Sequence, residues 1–153
     1  MTIAEEIIEA AERDQEMRRK TVEDPSQWNT DIDKKNTLRM KEIVAEIGWP
    51  SVSKVGADAS NKAWLIVQHA DHDRAFQKEC LELMKALPKQ EVLQANIAYL
   101  EDRVLVGLGL PQRYGTQFYR NEAGEMCVRP IEERERVDER RALMGLEPFK
   151  DKK

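Results

Sequence analysis

The chain has few cysteines and lacks long apolar segments, and these two absences narrow the class of protein. Its two cysteines, Cys80 and Cys127, form neither a Cys-x-x-Cys pair nor a zinc spacing, so we expect free, packed thiols. No apolar run approaches the roughly 20 residues that a membrane span needs. The N-terminal segment is acidic and amphipathic, unlike a secretion signal. We therefore expect a cytoplasmic protein with no membrane partner.

Recognised catalytic and nucleotide-binding motifs are also missing. The chain has no serine or cysteine nucleophile motif, no glycine-rich phosphate loop and no dinucleotide fingerprint. A formal net charge of −4 provides no positive surface for a nucleic-acid backbone, so a nucleic-acid partner is not expected. No cofactor is predicted, and any function has to be inferred from individual polar residues.

The length and composition are those of one soluble domain, 1–153, with a heavily charged exterior. The chain has 153 residues, of which 41% are hydrophobic and 35% charged. A chain of this length buries enough surface to fold without a disulfide or a metal. No fixed-period repeat is visible, which argues against a helical solenoid.

Apolar residues recur mostly at helical spacing, which predicts a mainly α (α+β) fold with about five to six helices and a small C-terminal β-hairpin. The helical part covers 1–106, and the hairpin and last helix cover 107–149. Expected helices lie at 2–20, from Thr30 or Asp31 to Gly48, at 59–87, at 91–106 and at 132–144, with strands at 114–120 and 125–129. Whether one helix or two spans 59–87 stays open.

Polar residues concentrate in the most apolar half of the chain, between residues 64 and 117. A buried polar group must find a partner or cost roughly 1–3 kcal/mol, so this concentration favours a buried site over a plain structural core. The candidates are Gln68, His69, Asp73, Gln77, Asp102, Arg103, Gln112, Tyr114 and Gln117.

His69 is the main candidate for chemistry, because imidazole can give or take a proton near neutral pH. In one continuous helix, Asp73 would lie one turn further along the same face and could orient the ring, with Gln77 one turn beyond. The alternative is a histidine that satisfies a polar core network, or a helix that ends at Ala70 with Asp71 as the next cap.

A metal site is a weaker alternative at the same place. His69 and His72 are three residues apart and Asp73 could complete an open three-ligand site. The chain has no His-Glu-x-x-His or Glu-x-x-His pattern, and His72 stands in a charged segment. We therefore predict no metal.

Two further groups are candidates for ligand contacts. Asp102 and Arg103 fall where the fifth helix should be buried, so an ion pair or a bound anion is expected, the structural alternative being a salt bridge to Asp14 or Asp33. The segment 112–117 places Gln112, Tyr114 and Gln117 around a glycine, which suits a small polar ligand or an irregular turn.

Several segments together resemble a bacterial family known mainly as a domain of unknown function. They are Trp64 to Asp71 (WLIVQHAD), Gln77, Ala98 to Arg103 (AYLEDR) and Gln112 to Gln117 (QRYGTQ). The similarity extends to Asp33 and Asn36, to Gly48-Trp49-Pro50, to Val55-Gly56, and to Val137-Asp138 with Arg140-Arg141. The resemblance covers nearly the whole chain. It implies one full-length domain whose polar positions form a set, and it implies no reaction, cofactor or catalytic residue.

We expect a small cytoplasmic enzyme that acts on a small polar metabolite by proton transfer, as a hydrolase, lyase or cyclase. His69 would be the acid/base, Asp73 its orienting carboxylate and Arg103 the anion holder. Gln68, Gln77, Asp102 and the amides and phenol of 112–117 would contact the ligand. The alternative is a non-catalytic small-ligand or protein-binding module of the immunity type. The oligomeric state stays open.

Overall fold

The structure is a computed structural model that describes residues 1–150, and its contacts divide the chain into two compact units. Unit 1 comprises Met1–Val92, and unit 2 begins at Leu93. The single-domain organisation expected from the sequence stays a prediction. The fold class is confirmed, because residues 1–150 form seven α-helices and one two-stranded antiparallel hairpin.

Unit 1 is entirely helical. Short 3-10 turns occur at Pro25–Gln27 and Lys89–Glu91. Its helices are α1 (Ile3–Glu23), α2 (Thr30–Ile47), α3 (Val52–Val55), α4 (Ala57–Gln68) and α5 (Arg74–Lys85).

The two long helices start at capping residues that the sequence makes recognisable. Thr2 and Glu5 form a capping box at the start of α1. At α2 the cap is Asn29, whose side chain accepts from the Asp31 backbone N–H, so the expected cap at Thr30 or Asp31 lies one or two residues too late. Gly48, with a φ of 75°, ends α2 as predicted.

The segment 59–87 contains two helices. α4 ends at Gln68, and the backbone of His69 has left helical geometry, with φ −87° and ψ 0°. α5 then begins after Asp73, whose carboxylate accepts from the Phe76 N–H at 3.1 Å. His69 and Asp73 are therefore cap residues of different helices and do not share a helical face.

α4 is the central helix of unit 1, in contact with α1, α2, α3 and α5. Small residues on it allow the neighbouring helices to approach, because Ala59 and Ala63 are at most 1% exposed. The surrounding layer includes Ile7 from α1 and Met40 and Ile43 from α2, all buried. Close packing around α4 fixes its C-terminal end, where His69 lies.

Unit 2 consists of α6 (Gln94–Gly107), strands β1 (Phe118–Arg120) and β2 (Met126–Val128), and α7 (Val137–Leu143). In the hairpin Phe118 pairs with Val128 and Arg120 with Met126. Both strands are shorter than the expected 114–120 and 125–129. The last helix is also shorter than the expected 132–144, because a 3-10 turn at Arg134–Arg136 precedes it.

The shortening of β1 has a specific cause in unit 2. The backbone N–H groups of Tyr114 and Thr116 donate to the carboxylate of Asp102 rather than to a neighbouring strand. A residue whose N–H is bound by a side chain cannot use it in a β ladder.

None of the helices within residues 1–150 is both long and apolar enough to cross a membrane.

Candidate functional site

His69 and Asp14 form a close pair in unit 1. The Nδ1 atom of His69 lies 2.8 Å from Oδ2 of Asp14, which belongs to α1. Asp14 is only 1% exposed, and the same Oδ2 accepts a second hydrogen bond, 2.9 Å long, from the amide of Gln15. The carboxylate that orients the imidazole is thus Asp14.

The environment of Asp14 indicates where the proton of this pair lies. Burial raises the pKa of the Asp14 carboxyl, but the hydrogen bond and positive charge contributed by His69 outweigh it, so the pKa lies below its usual value. An ionised Asp14 requires the proton on Nδ1 of His69, which we assign accordingly. The Nε2 atom then has no hydrogen-bond partner within residues 1–150, and the side chain of His69 is 19% exposed.

Arg18 and Asp33 complete this group, which we call the acid/base cluster: Asp14, Arg18, Asp33 and His69. Arg18 lies one turn after Asp14 on α1, and its Nε is 3.3 Å from Oδ1 of Asp14 and 3.1 Å from Nδ1 of His69. Since Nδ1 carries the proton of the neutral ring and cannot accept, we assign the Arg18 N–H to Oδ1 of Asp14. Its Nη2 is 3.3 Å from each carboxylate oxygen of Asp33 on α2. A single guanidinium therefore bridges both carboxylates.

The two carboxyls of the cluster have opposite electrostatic surroundings. Burial, followed by the hydrogen bond with Asp14, raises the pKa of Asp33 to about 6, although the charge of Arg18 opposes this shift. The Asp14 pKa is lowered. Neighbouring titratable groups whose pKa values are pushed apart are typical of acid/base sites, although structural ion pairs also produce such shifts.

Asp73, expected to orient His69, has a different role in the structure. Its carboxylate caps α5 and forms an ion pair with Lys41, which lowers its pKa. The expectation failed because it assumed one continuous helix.

His72, the second histidine of the alternative metal site, is exposed. Within residues 1–150 no three or more His, Cys, Asp or Glu side chains are arranged to hold a metal ion.

Gln77, a predicted ligand contact, is fully buried and holds the turn between α4 and α5. Its Nε2 is 3.1 Å from the Val67 carbonyl, 3.3 Å from the Gln68 carbonyl and 3.1 Å from Oδ1 of Asp71. Arg74 donates to its Oε1. Gln77 thus satisfies carbonyls that the end of α4 leaves open, and Gln68 itself is buried beside it, at 7% exposure.

Asp102 in unit 2 has both carboxylate oxygens occupied. Oδ1 accepts from the backbone N–H groups of Arg113 and Tyr114 at 2.8 and 3.1 Å. Oδ2 accepts from the backbone and the hydroxyl of Thr116 at 3.1 and 2.8 Å. Since Asp102 is also 0% exposed, we assign it to holding the 112–117 loop rather than to the predicted ligand contact.

Gln112 closes the same loop against the hairpin. Its amide nitrogen donates to the carbonyls of Gln117 and Arg129, and its amide oxygen accepts from the Gln117 N–H. The residue is 0% exposed. All polar side-chain atoms of Gln112, like those of Asp102, are bound within the protein, so none is left for a ligand.

Arginines of α7 hold the carbonyl side of the 112–117 loop. Arg140 donates to the carbonyl of Arg113 at 2.7 Å, and Arg141 donates to the carbonyl of Tyr114 at 2.6 Å. At Gly115, with φ 69°, a Cβ would lie only 2.9 Å from the Phe149 ring, so both backbone and packing require glycine. Neither arginine was predicted from the sequence to contact this loop.

The remaining predicted contacts in unit 2 differ in exposure. Tyr114 is buried, at 7% exposure. Arg103 and Gln117 are partly exposed, and Nη1 of Arg103 lies 3.4 Å from Oε1 of Gln117. These two side chains are the better candidates for contact with a ligand in unit 2.

The structure divides the predicted residues between the two units, and in unit 1 Asp73 and Gln77 have partners other than His69. In unit 1 His69 is joined by Asp14, Arg18 and Asp33. Asp14 and Asp33 were named from the sequence only as possible salt-bridge partners of Asp102 or Arg103, and Arg18 was not named as a site residue. Cavities of about 290 and 670 Å³ in unit 1 are lined by other residues.

Comparison with known proteins gives one match. Neither a curated protein nor a solved structure matches the chain. A family model described as a family of unknown function (DUF6624) matches residues 2–152. Because this match covers nearly the whole sequence, as the resemblance noted from the motifs implied, the chain belongs to the DUF6624 family of unknown function.

Proposed function

We propose that unit 1 carries a general acid/base site in which His69 transfers a proton through Nε2 and Asp14 holds the ring. The observation that carries the proposal is the 2.8 Å contact between Nδ1 of His69 and a buried carboxylate oxygen of Asp14, with Nε2 left open. A bare imidazole on a helix surface would have neither a fixed tautomer nor a fixed orientation.

The proposed chemistry follows from the protonation of the pair. With the proton of the neutral ring on Nδ1, the lone pair of Nε2 can accept a proton from a ligand. The negative charge of Asp14 stabilises the imidazolium that results, and the same proton can then be returned to a leaving group. These two proton transfers fit a hydrolase, lyase or cyclase reaction on a small polar metabolite.

Arg103 and Gln117 are the proposed ligand contacts in unit 2, supported by their partial exposure. Asp102, Gln112 and Gln77 are proposed to support the fold, since their side-chain hydrogen-bonding groups bind the protein itself. We also propose a cytoplasmic location. It is supported by the two free cysteines, Cys80 and Cys127, since thiols stay reduced in the cytosol.

The tautomer of His69 can be tested without knowing the substrate. Nitrogen-15 NMR of the ring should show the proton of the neutral form on Nδ1, because ionised Asp14 selects that tautomer. His72 is exposed and provides an internal control, which should show the Nε2–H form that free histidine prefers. An Nε2–H tautomer at His69 would contradict the proposal.

Catalysis itself needs a search for a substrate. Purified protein is incubated with a small-molecule extract of bacterial cells, and depleted compounds are identified by mass spectrometry. His69→Asn, whose amide nitrogen can replace Nδ1 towards Asp14, should slow the depletion by roughly 10²-fold or more. The matched variant His72→Asn should retain the full rate. Absence of depletion by the wild-type protein, or equal rates for the wild type and His69→Asn, would reject the enzyme proposal.

A second candidate function is a non-catalytic binding module. The observation that favours it is that the side-chain polar atoms of Asp102 and Gln112 in unit 2 bind only the 112–117 loop and the Arg129 carbonyl. A module predicts no depleted metabolite. The depletion experiment therefore separates the candidates.

A further inference from the structure

The smaller cavity of unit 1, about 290 Å³ in volume, lies between α1, the 3-10 turn Pro25–Gln27 and the first turn of α2. From α1 it is lined by Arg13, Glu16, Met17 and Lys20, whose spacing of three to four residues places them on one helical face. None of these four residues belongs to the acid/base cluster. The cavity is therefore a separate feature of unit 1.

Arg13 brings an uncompensated positive charge to this cavity. It forms no hydrogen bond or ion pair with any group in residues 1–150. Lys20, the second cation of the lining, has a loose ion pair with Glu16 at 3.5 Å, in which the two side chains are 61% and 58% exposed. Glu16 is the only carboxylate in the lining, so two positive charges face one negative charge. The cavity therefore favours an anion.

The rest of the lining adds a neutral donor and apolar surface. Oδ1 of Asn29 accepts from the Asp31 N–H at 2.9 Å, which leaves Nδ2 of Asn29 without a partner in the part of the chain that the structure describes. Met17, which is only 4% exposed, and Ile32 contribute the apolar surface. Cationic and amide donors beside a few apolar atoms suit a small organic molecule with an acidic group.

We propose that this cavity binds a small oxyanion, a carboxylate or a phosphate group, with Arg13 as its main contact and with Lys20 and Nδ2 of Asn29 as further donors. The planar guanidinium fork of Arg13 matches two oxygens of either group. The proposal does not depend on the chemistry proposed at His69, because no residue of the acid/base cluster lines the cavity.

The test is a titration of the full chain with inorganic phosphate and, separately, with acetate, at constant ionic strength. Nitrogen-15 NMR should show saturable shifts at the backbone amides of Lys20, Gln27 and Asn29, which line the cavity. The Trp28 indole should shift with them, because Trp28 lies between Gln27 and Asn29 in the chain. Saturation by both ions, or by one of them, supports the site and shows which acidic group it accepts. Absence of saturation with either ion would overturn the proposal.

The matched control is Arg19, a second arginine of α1. Arg19 is exposed like Arg13 and is also unpaired within residues 1–150, but it does not line the cavity. Arg13→Gln should weaken the binding of the saturating ion roughly tenfold, since it removes the charged donor fork. Arg19→Gln should leave the affinity unchanged. Equal losses in the two variants would show a general charge effect and refute the site.

Glu16→Gln gives a prediction of the opposite sign. The substitution removes the only carboxylate of the lining and releases Lys20 from its ion pair. Binding of the same ion should therefore strengthen by roughly threefold. Weaker binding in Glu16→Gln would contradict the proposal, because a carboxylate in the cavity can only oppose an anion beside it.

Discussion

Two buried carboxylates, Asp14 in unit 1 and Asp102 in unit 2, are equally hidden from solvent and differ in how their oxygens are satisfied. Asp102 receives four hydrogen bonds, three from backbone N–H groups and one from a hydroxyl. Asp14 has two hydrogen-bonding partners on Oδ2, and its Oδ1 has only the ion pair with Arg18 at 3.3 Å. A saturated carboxylate holds a fold, whereas an unsaturated one next to titratable groups can take part in proton movement.

The partners of these carboxylates also differ in kind. Backbone amides and a threonine hydroxyl do not titrate in the ordinary pH range, so the 112–117 loop has a fixed set of hydrogen bonds. His69 and Asp33 can each gain or lose a proton. We therefore expect stability to depend on Asp102 and proton chemistry to depend on the acid/base cluster.

Asp102→Ala should have the largest effect on stability. The substitution leaves buried N–H groups of the 112–117 loop without acceptors, so the free energy of unfolding should fall by about 3–5 kcal/mol. Urea denaturation measures the change. Asp58→Ala is the matched control, since Asp58 is exposed and should contribute within about 0.5 kcal/mol. A loss at Asp102 below about 1 kcal/mol would remove the contrast with Asp14.

Gln112→Leu should have the next largest effect. The variant keeps most of the side-chain volume but loses three hydrogen bonds, which should reduce the free energy of unfolding by about 2–3 kcal/mol. Hydrogen exchange should accelerate at the Gln117 amide, which donates to Gln112, and at the Arg129 amide, which donates to the Gln117 carbonyl that Gln112 also binds. Gln27→Leu, at an exposed position, serves as the control. Unchanged exchange at both amides would show that Gln112 does not hold the loop.

Asp33→Asn should change the pH dependence of stability. The folded-state pKa of Asp33 is raised from 3.8 to about 6, so its contribution is fully present below pH 3.8 and lost as pH rises through about 6. The asparagine variant does not ionise. Relative to wild type it should therefore gain about 2–3 kcal/mol between about pH 4 and pH 7.

The control for this pH series is Asp31→Asn, an exposed neighbour on the same helical turn. Thermal melts at several pH values measure both variants against the wild type. A stability difference for Asp33→Asn that is constant with pH would show that Asp33 ionises normally.

His69→Asn should have the smallest effect on stability. Nε2 has no partner to lose within residues 1–150, and the new amide can still donate to Asp14. We expect the free energy of unfolding to change by less than about 1 kcal/mol, a few degrees in melting temperature. A loss of about 3 kcal/mol would place His69 with Asp102 as a structural residue and favour the binding module.

Much of the helical fold was predictable because its signals are local. Apolar spacing and Gly48 located α2, and the same spacing located most of α1 and α6. The break between α4 and α5 was not predictable, because it depends on Gln77 reaching back to the carbonyls at the end of α4. The short β1 strand likewise reflects Asp102, a residue of another element, binding the loop before it.

The site was predictable only in part. His69 stood out because the chain has only two histidines and this one lies in the most apolar half of the sequence. Its partner Asp14 lies 55 positions earlier, and no spacing rule connects the two residues. Asp73 was preferred because a neighbour in sequence is the default partner on a helix, and that preference failed once the helix ended at Gln68.

The sequence by itself determined the helical class, the place of the hairpin and the presence of unusual polar residues in an apolar stretch, since these follow from local periodicity and composition. Only the tertiary structure decided which polar residues are saturated and which retain a free atom. Hydrogen-bond partners come from residues that packing brings together, such as α1 with the end of α4. The same aspartate side chain can therefore hold a loop at 102 and support a histidine at 14.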